Sequence, residues 1–169
     1  MKNSLQKKIS KNIYSVFSEH SSVNDLIIHS KSLQKEILEV FVSIWENVID
    51  SVKELTPIDK GVIKKRTLLL QGASLNLLNK VIALLSAFPE KPIRVILASL
   101  QYIIDRIVIT EASEIYREQL LANYPDSKFI WVLKDKCSKC SKYSNKEFTA
   151  ENFPPLPHIG CKCYPKRKK

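Results

Sequence analysis

The chain has 169 residues, 44% of them hydrophobic and only three of them glycine, which allows one domain with a real core and argues against wholesale disorder. Its formal charge is +10, from 27 Lys and Arg against 17 Asp and Glu, so an anionic partner has to be considered. The opening Met1-Lys2-Asn3-Ser4-Leu5-Gln6-Lys7-Lys8 is polar and basic with no apolar run behind it. No uncharged apolar run reaches the roughly 18 residues of a membrane span. The expectation is a soluble protein made in a cytoplasm, with no membrane partner.

In chain order, Leu5, Ile9, Ile13 and Phe17 predict a weak amphipathic helix over the first 20 residues. Ser22-Val23-Asn24-Asp25 then offers capping side chains. Behind it Leu33, Ile37, Phe41, Ile44, Val48, Val52 and Leu55 step by threes and fours, and Leu38, Val42, Trp45 and Ile49 widen the stripe. A single helix from about 23 to 55 is expected, roughly 50 Å long, ended by Thr56-Pro57. A second stripe runs through Leu70, Ala73, Leu77, Val81, Leu84 and Phe88, and Pro89-Glu90-Lys91-Pro92 breaks it. A third runs through Ile93, Leu97, Leu100, Ile104 and Ile107 toward Leu120, closed by the turn Tyr124-Pro125-Asp126.

Nothing in this body reads as chemistry. His20 and His29 stand alone in sequence. Asp105, Glu111 and Glu114 share one helix and are expected as solvated charges or local ion pairs. Trp45 is expected in the core. Residues 1–124 therefore read as a helical body, a scaffold.

The remainder differs. From Lys128 onward 11 Lys and Arg face Asp135, Glu147 and Glu151, a net +8, which leaves +2 for the first 127 residues. Lys128 to Leu133 reads as a short strand, rich in aromatic and branched residues. Then all four cysteines arrive together: Cys137-x2-Cys140, a gap of 20 residues, and Cys161-x-Cys163, with His158 three residues ahead of Cys161. Two such pairs can hold one tetrahedral zinc. The simplest ligand set is Cys137, Cys140, Cys161 and Cys163; the other exchanges one of these for His158. Disulfides or redox thiols are the competing reading, disfavoured in a cytoplasm and without a thioredoxin-like context. Phe153-Pro154-Pro155-Leu156-Pro157 can be neither helix nor central strand and is expected to lie extended, delivering His158 and Cys161. The fold class expected is mainly α, a helical bundle with a small C-terminal zinc-binding β/loop module over 125–165 and a basic tail over 166–169. The candidate nucleic-acid contacts are Lys162, Lys166, Arg167, Lys168 and Lys169.

This C-terminal half resembles the phage head morphogenesis, or minor head, proteins of the phage Mu type. Thr110-Glu111, Trp131, Asp135 ahead of Cys137-Ser138-Lys139-Cys140, Phe148, Pro154-Pro155 and His158-Ile159-Gly160-Cys161-Lys162-Cys163 follow that family's order over about residues 100 to 165. The resemblance implies a non-enzymatic protein of the virion, made in the host cytoplasm and acting in head assembly near the portal. It implies portal and capsid proteins as partners, structural zinc, and possible sequence-independent DNA contact. Two alternatives compete. A zinc-module DNA-binding regulator would need a base-reading helix, and a metal-dependent HNH-type nuclease would need further ligands and a histidine base.

Overall fold

The computed structural model describes residues 2–20, 22–51, 60–134 and 138–168. Six helices make the body: α1 (Lys2–Phe17), α2 (Val23–Ile28), α3 (Ser30–Ser51), α4 (Lys60–Ala87), α5 (Ile93–Ser99) and α6 (Gln101–Asn123). A C-terminal unit follows: β1 (Lys128–Val132), the single turn α7 (Ser138–Ser141), β2 (Glu147–Thr149) and β3 (Tyr164–Arg167). The fold is mostly helical with a small three-stranded antiparallel sheet, as the sequence predicts.

The apolar stripes meet in one core. Ile9, Ile13 and Phe17 of α1 and Leu33, Ile37, Phe41, Ile44 and Val48 of α3 are buried with Leu77 and Val81 of α4 and Ile104 and Ile107 of α6. Helix α3 is central and packs on α1, α4 and α6. Trp45 is buried there, as expected. In α4 the buried position is Leu85, with Leu84 partly buried and Phe88 exposed.

Two long helices expected as continuous are each interrupted. His29 (φ −94, ψ 12) separates α2 from α3, and Leu100 (φ −98, ψ 2) separates α5 from α6. A single residue off helical geometry keeps the side-chain register, so Leu26 and Leu33 stay on one buried face across the break. Ser22 caps α2, its hydroxyl accepting the Asp25 N–H at 3.2 Å. Nor are the two histidines isolated: His20 Nδ1 lies 2.8 Å from Asp25 Oδ2, and His29 Nε2 3.5 Å from Oδ1. The expected stop at Thr56-Pro57, with Val52 and Leu55, lies outside the described residues.

Among the described residues one stretch, Arg66–Ala87, is long and apolar enough by length and composition to cross a membrane, with mean hydropathy 1.5 over an 18-residue window. Counting uncharged runs misses it because Lys80 interrupts the run. A third of it is buried in the body, through Leu70, Leu77, Leu78, Val81 and Leu85.

In the sheet the order is β2-β1-β3. Strand β1 is central, with Phe129 and Trp131 turned to the interior and Ile130 and Val132 half-buried on the other face. The chain from β2 to β3 crosses to the far side of β1 and carries the prolines, His158 and Cys161. The basic end is not a loose tail, as the division at 166 supposes. Lys166 and Arg167 belong to β3, and the Lys168 N–H donates to the Lys128 carbonyl at 2.8 Å. That bond makes Lys128 and Lys168 a hydrogen-bonded pair, so Ile130–Lys166 is one too, and neither Phe129–Arg167 between them nor Trp131–Pro165 beyond them is. The nitrogen of Pro165 therefore faces away from β1, toward the outer edge of the sheet.

Candidate metal centre

Cys140, His158 and Cys161 converge from two directions. Cys140 is buried in α7. His158 and Cys161 stand at the two ends of a four-residue turn closed by the Cys161 N–H donating to the His158 carbonyl at 3.2 Å. Gly160 supplies the φ of +82 that such a turn needs at its third position. A Cβ there would also lie 2.3 Å from Arg106 Nη2 on α6, which the arginine would have to vacate, and the φ itself favours glycine.

The ligand atoms of these three residues all lie within 4.8 Å of one another. Cys140 Sγ is 3.4 Å from Cys161 Sγ and 3.9 Å from His158 Nε2. Sulfurs bound to one tetrahedral zinc at about 2.3 Å would sit about 3.8 Å apart, so the donor set matches a metal within a few tenths of an ångström. A disulfide needs about 2.05 Å, and the two sulfurs are not at that distance. His158 Nδ1 is 3.0 Å from the Ile159 carbonyl. Donation there fixes the ring and leaves the Nε2 lone pair for a metal.

Cys163 is buried beside this group, its Sγ 4.0 Å from the Lys134 carbonyl. Burial pushes the Cys161 thiol up to about 11, and hydrogen bonds from the Cys163 N–H and Cys140 pull it back only in part. A metal binding here must displace that proton. The buried cluster of Cys140, His158 and Cys161, with Cys163 adjoining, can hold a metal such as zinc. Of the five predicted ligands, Cys137 lies outside the described residues, as do Asp135 and Lys136.

Behind the cluster lies a set of buried charges: of the groups expected as solvated charges or local ion pairs, Glu114 pairs locally with Arg117, but neither it nor Glu111 is solvated. Glu111 and Glu114 are fully buried. Glu111 accepts from Trp45 Nε1 at 3.0 Å, from Arg66 Nε at 3.0 Å, and from Arg66 Nη2. Arg66 Nη1 donates to the Leu156 carbonyl at 2.7 Å, and Glu114 accepts the Leu156 N–H at 3.1 Å. Arg117 binds Glu114 through Nε and Nη2 at 3.0 and 2.8 Å. Thr110 Oγ1 accepts the Gly160 N–H at 2.6 Å. Burial disfavours the Arg66 charge, but the bonds and field of Glu111, with Glu114 and Cys161 adding, outweigh it and hold its pKa above the usual arginine value. Burial lowers that of Arg117, with Glu114 offsetting part. The proline segment is therefore not merely laid over a surface, because its backbone completes the hydrogen bonds of buried side chains on α4 and α6.

An aromatic group seals the other side. Trp131 stacks on Phe153 at 5.2 Å, and Phe148 meets Phe153 edge-on at 5.3 Å. A cleft of about 330 Å³ beside α6, lined among others by Tyr116, Leu120, Cys161 and Lys162, opens next to the cluster.

The predicted nucleic-acid residues divide. Lys166 and Lys168 are exposed on β3 and just past it, Lys162 is exposed between the two cysteines, and Arg167 lies 4.3 Å over the Tyr124 ring. Lys169 lies outside the described residues. Glu147 pairs with Lys168 and, at 3.9 Å, with Lys128, and these lysines hold its carboxyl below the usual range. No family model, no curated protein and no solved structure matches the chain.

Proposed function

We propose that this chain is a phage or prophage minor head protein, a structural component acting in capsid assembly near the portal, with a zinc-clipped C-terminal module that contacts DNA without sequence preference. One observation carries the reading. Several of the residues on which the resemblance rests are scattered from Thr110 to Cys161 in sequence, yet among the described residues they adjoin one another. Thr110 and Glu111 hold the metal-loop segment through Gly160 and, by way of Arg66, Leu156. Trp131, Phe148 and Phe153 pack beneath it. His158 and Cys161 close on Cys140.

The zinc ligands in this reading are Cys140, His158 and Cys161, with Cys137 as the fourth because C-x2-C is the chelating spacing. Cys163, whose N–H and side chain both lie against Cys161, is the competing fourth ligand. Three thiolates and a neutral imidazole leave a zinc site with one net negative charge, which the nearby Arg66 cation favours. The only helix of the module among the described residues is the four-residue α7, which holds Cys140 itself and speaks against a base-reading regulator. The module holds a single histidine, His158, already used at the cluster, which speaks against a nuclease.

Two measurements test this. Protein purified under reducing conditions without added metal should carry about one zinc per chain. That zinc should be lost in Cys161→Ser and Cys137→Ser and kept in Cys163→Ser; retention in Cys137→Ser with loss in Cys163→Ser would reverse the fourth ligand. Mass spectrometry of particles purified from the producing host should find the chain in the head at low copy. Its absence from both heads and assembly intermediates would sink the minor head reading.

A further inference from the structure

We infer that the outer face of the C-terminal sheet is a binding platform for single-stranded nucleic acid, with Tyr164 as its stacking base. The inference rests on the reading that the basic end meets nucleic acid, and it names the form of that partner.

The register puts the platform together. Phe129 and Trp131 point to the interior, so Lys128, Ile130 and Val132 take the opposite face of β1. Their partners Lys168, Lys166 and Tyr164 share that face. Tyr164 is 42% exposed, a large aromatic ring left to solvent beside the half-buried Ile130 and Val132. Three lysines flank this apolar strip at one end, Lys128 and Lys168 beyond Ile130 and Lys166 beside it. An apolar strip with a cationic end fits a partner that offers flat apolar faces and negative charge together. Unpaired nucleotides do so, since every base has a face to stack and every linkage a phosphate. A duplex offers the phosphates but hides its base faces. The other face of β3 does not contribute, because Arg167 is turned to the interior face and lies over Tyr124.

Glu147 sits on the same face and occupies two of the lysines, Lys128 and Lys168. It acts as an internal competitor for phosphate. Removing its charge should therefore strengthen binding, a gain that loss of folding cannot imitate.

The test is fluorescence anisotropy of the full zinc-loaded chain with a labelled oligothymidylate and with a duplex of equal length, at several salt concentrations. The single strand should bind more tightly than the duplex at equal salt. Tyr164→Ala should weaken the oligothymidylate by about ten-fold or more and leave duplex binding unchanged, while Tyr164→Phe keeps the parent affinity. Lys166→Ala should weaken both and flatten the salt dependence by about 0.7 to 0.9 of a logarithmic unit. Glu147→Gln should tighten both. If Tyr164→Ala binds oligothymidylate like the parent, or the duplex competes equally, the platform is overturned while non-specific DNA contact stands. If neither nucleic acid binds, that contact falls as well. If polyglutamate competes as well as oligothymidylate, the face reads charge alone and the stacking role is wrong.

Discussion

Glu111 draws three donors from two other helices into one buried carboxylate, from Trp45 on α3 and Arg66 on α4. Two charges held this way repay their desolvation only while both are present. Glu111→Gln keeps the shape and removes the charge, leaving Arg66 buried with no neutralising partner on that side. It should cost about 3–5 kcal/mol in urea or thermal unfolding. A loss under 1 kcal/mol would mean that water reaches Arg66. In sequence, Glu111 and Glu114 look like the solvated flank of a helix, because the residue that buries Glu111 is 45 positions away. The cysteines and His158 were legible because metal chemistry fixes residue type and spacing locally. Which four of the five candidates converge was not, since the place of His158 depends on a turn that needs Gly160 in a left-handed conformation.

Helix α6 belongs to both halves of the molecule. It buries Ile104, Ile107 and Ile115 in the helical core, while Leu121 joins the core beneath the sheet. The helical periodicity made this element easy to see, and strand β1 was equally plain from its branched and aromatic run. The breaks at His29 and Leu100 were invisible, because neither involves Gly or Pro and the stripe passes through both. Residues 1–124 alone have their own core and should remain strongly helical by far-UV dichroism. Yet without the rest, Arg66 loses the Leu156 carbonyl, Glu114 the Leu156 N–H and Thr110 the Gly160 N–H. A chain ending at Tyr124 should therefore unfold at lower urea than the full protein, with at least about 1 kcal/mol less stability. An equal midpoint would show that these three bonds contribute nothing to the body.

Across the whole molecule, the same bonds tie the metal loop to the interior of the helical body. Holding His158 and Cys161 in place also holds Gly160 against Thr110, and limits how far Leu156 can move from Arg66. Stripping zinc with a chelator should lower the unfolding temperature of the helices as well as loosen the sheet, with both transitions followed by dichroism at far- and near-UV wavelengths. Helices that melt at the same temperature with and without metal would mean two independent units. The sheet has a further property, set by one residue. Strand β3 lies at an edge, where a row of outward N–H groups would invite another chain to pair with it. Pro165 has no N–H, and its nitrogen is one of two on β3, with that of Arg167, that face outward, so the edge lacks one of its donors while the bonds to β1 lose nothing. Pro165→Val keeps the buried apolar surface and restores that donor. Its folding stability should fall by less than about 1 kcal/mol, but light scattering should report more self-association than the parent at equal concentration. The proline thus guards a small positively charged sheet against being extended by its own copies, and leaves its face for a different kind of polymer.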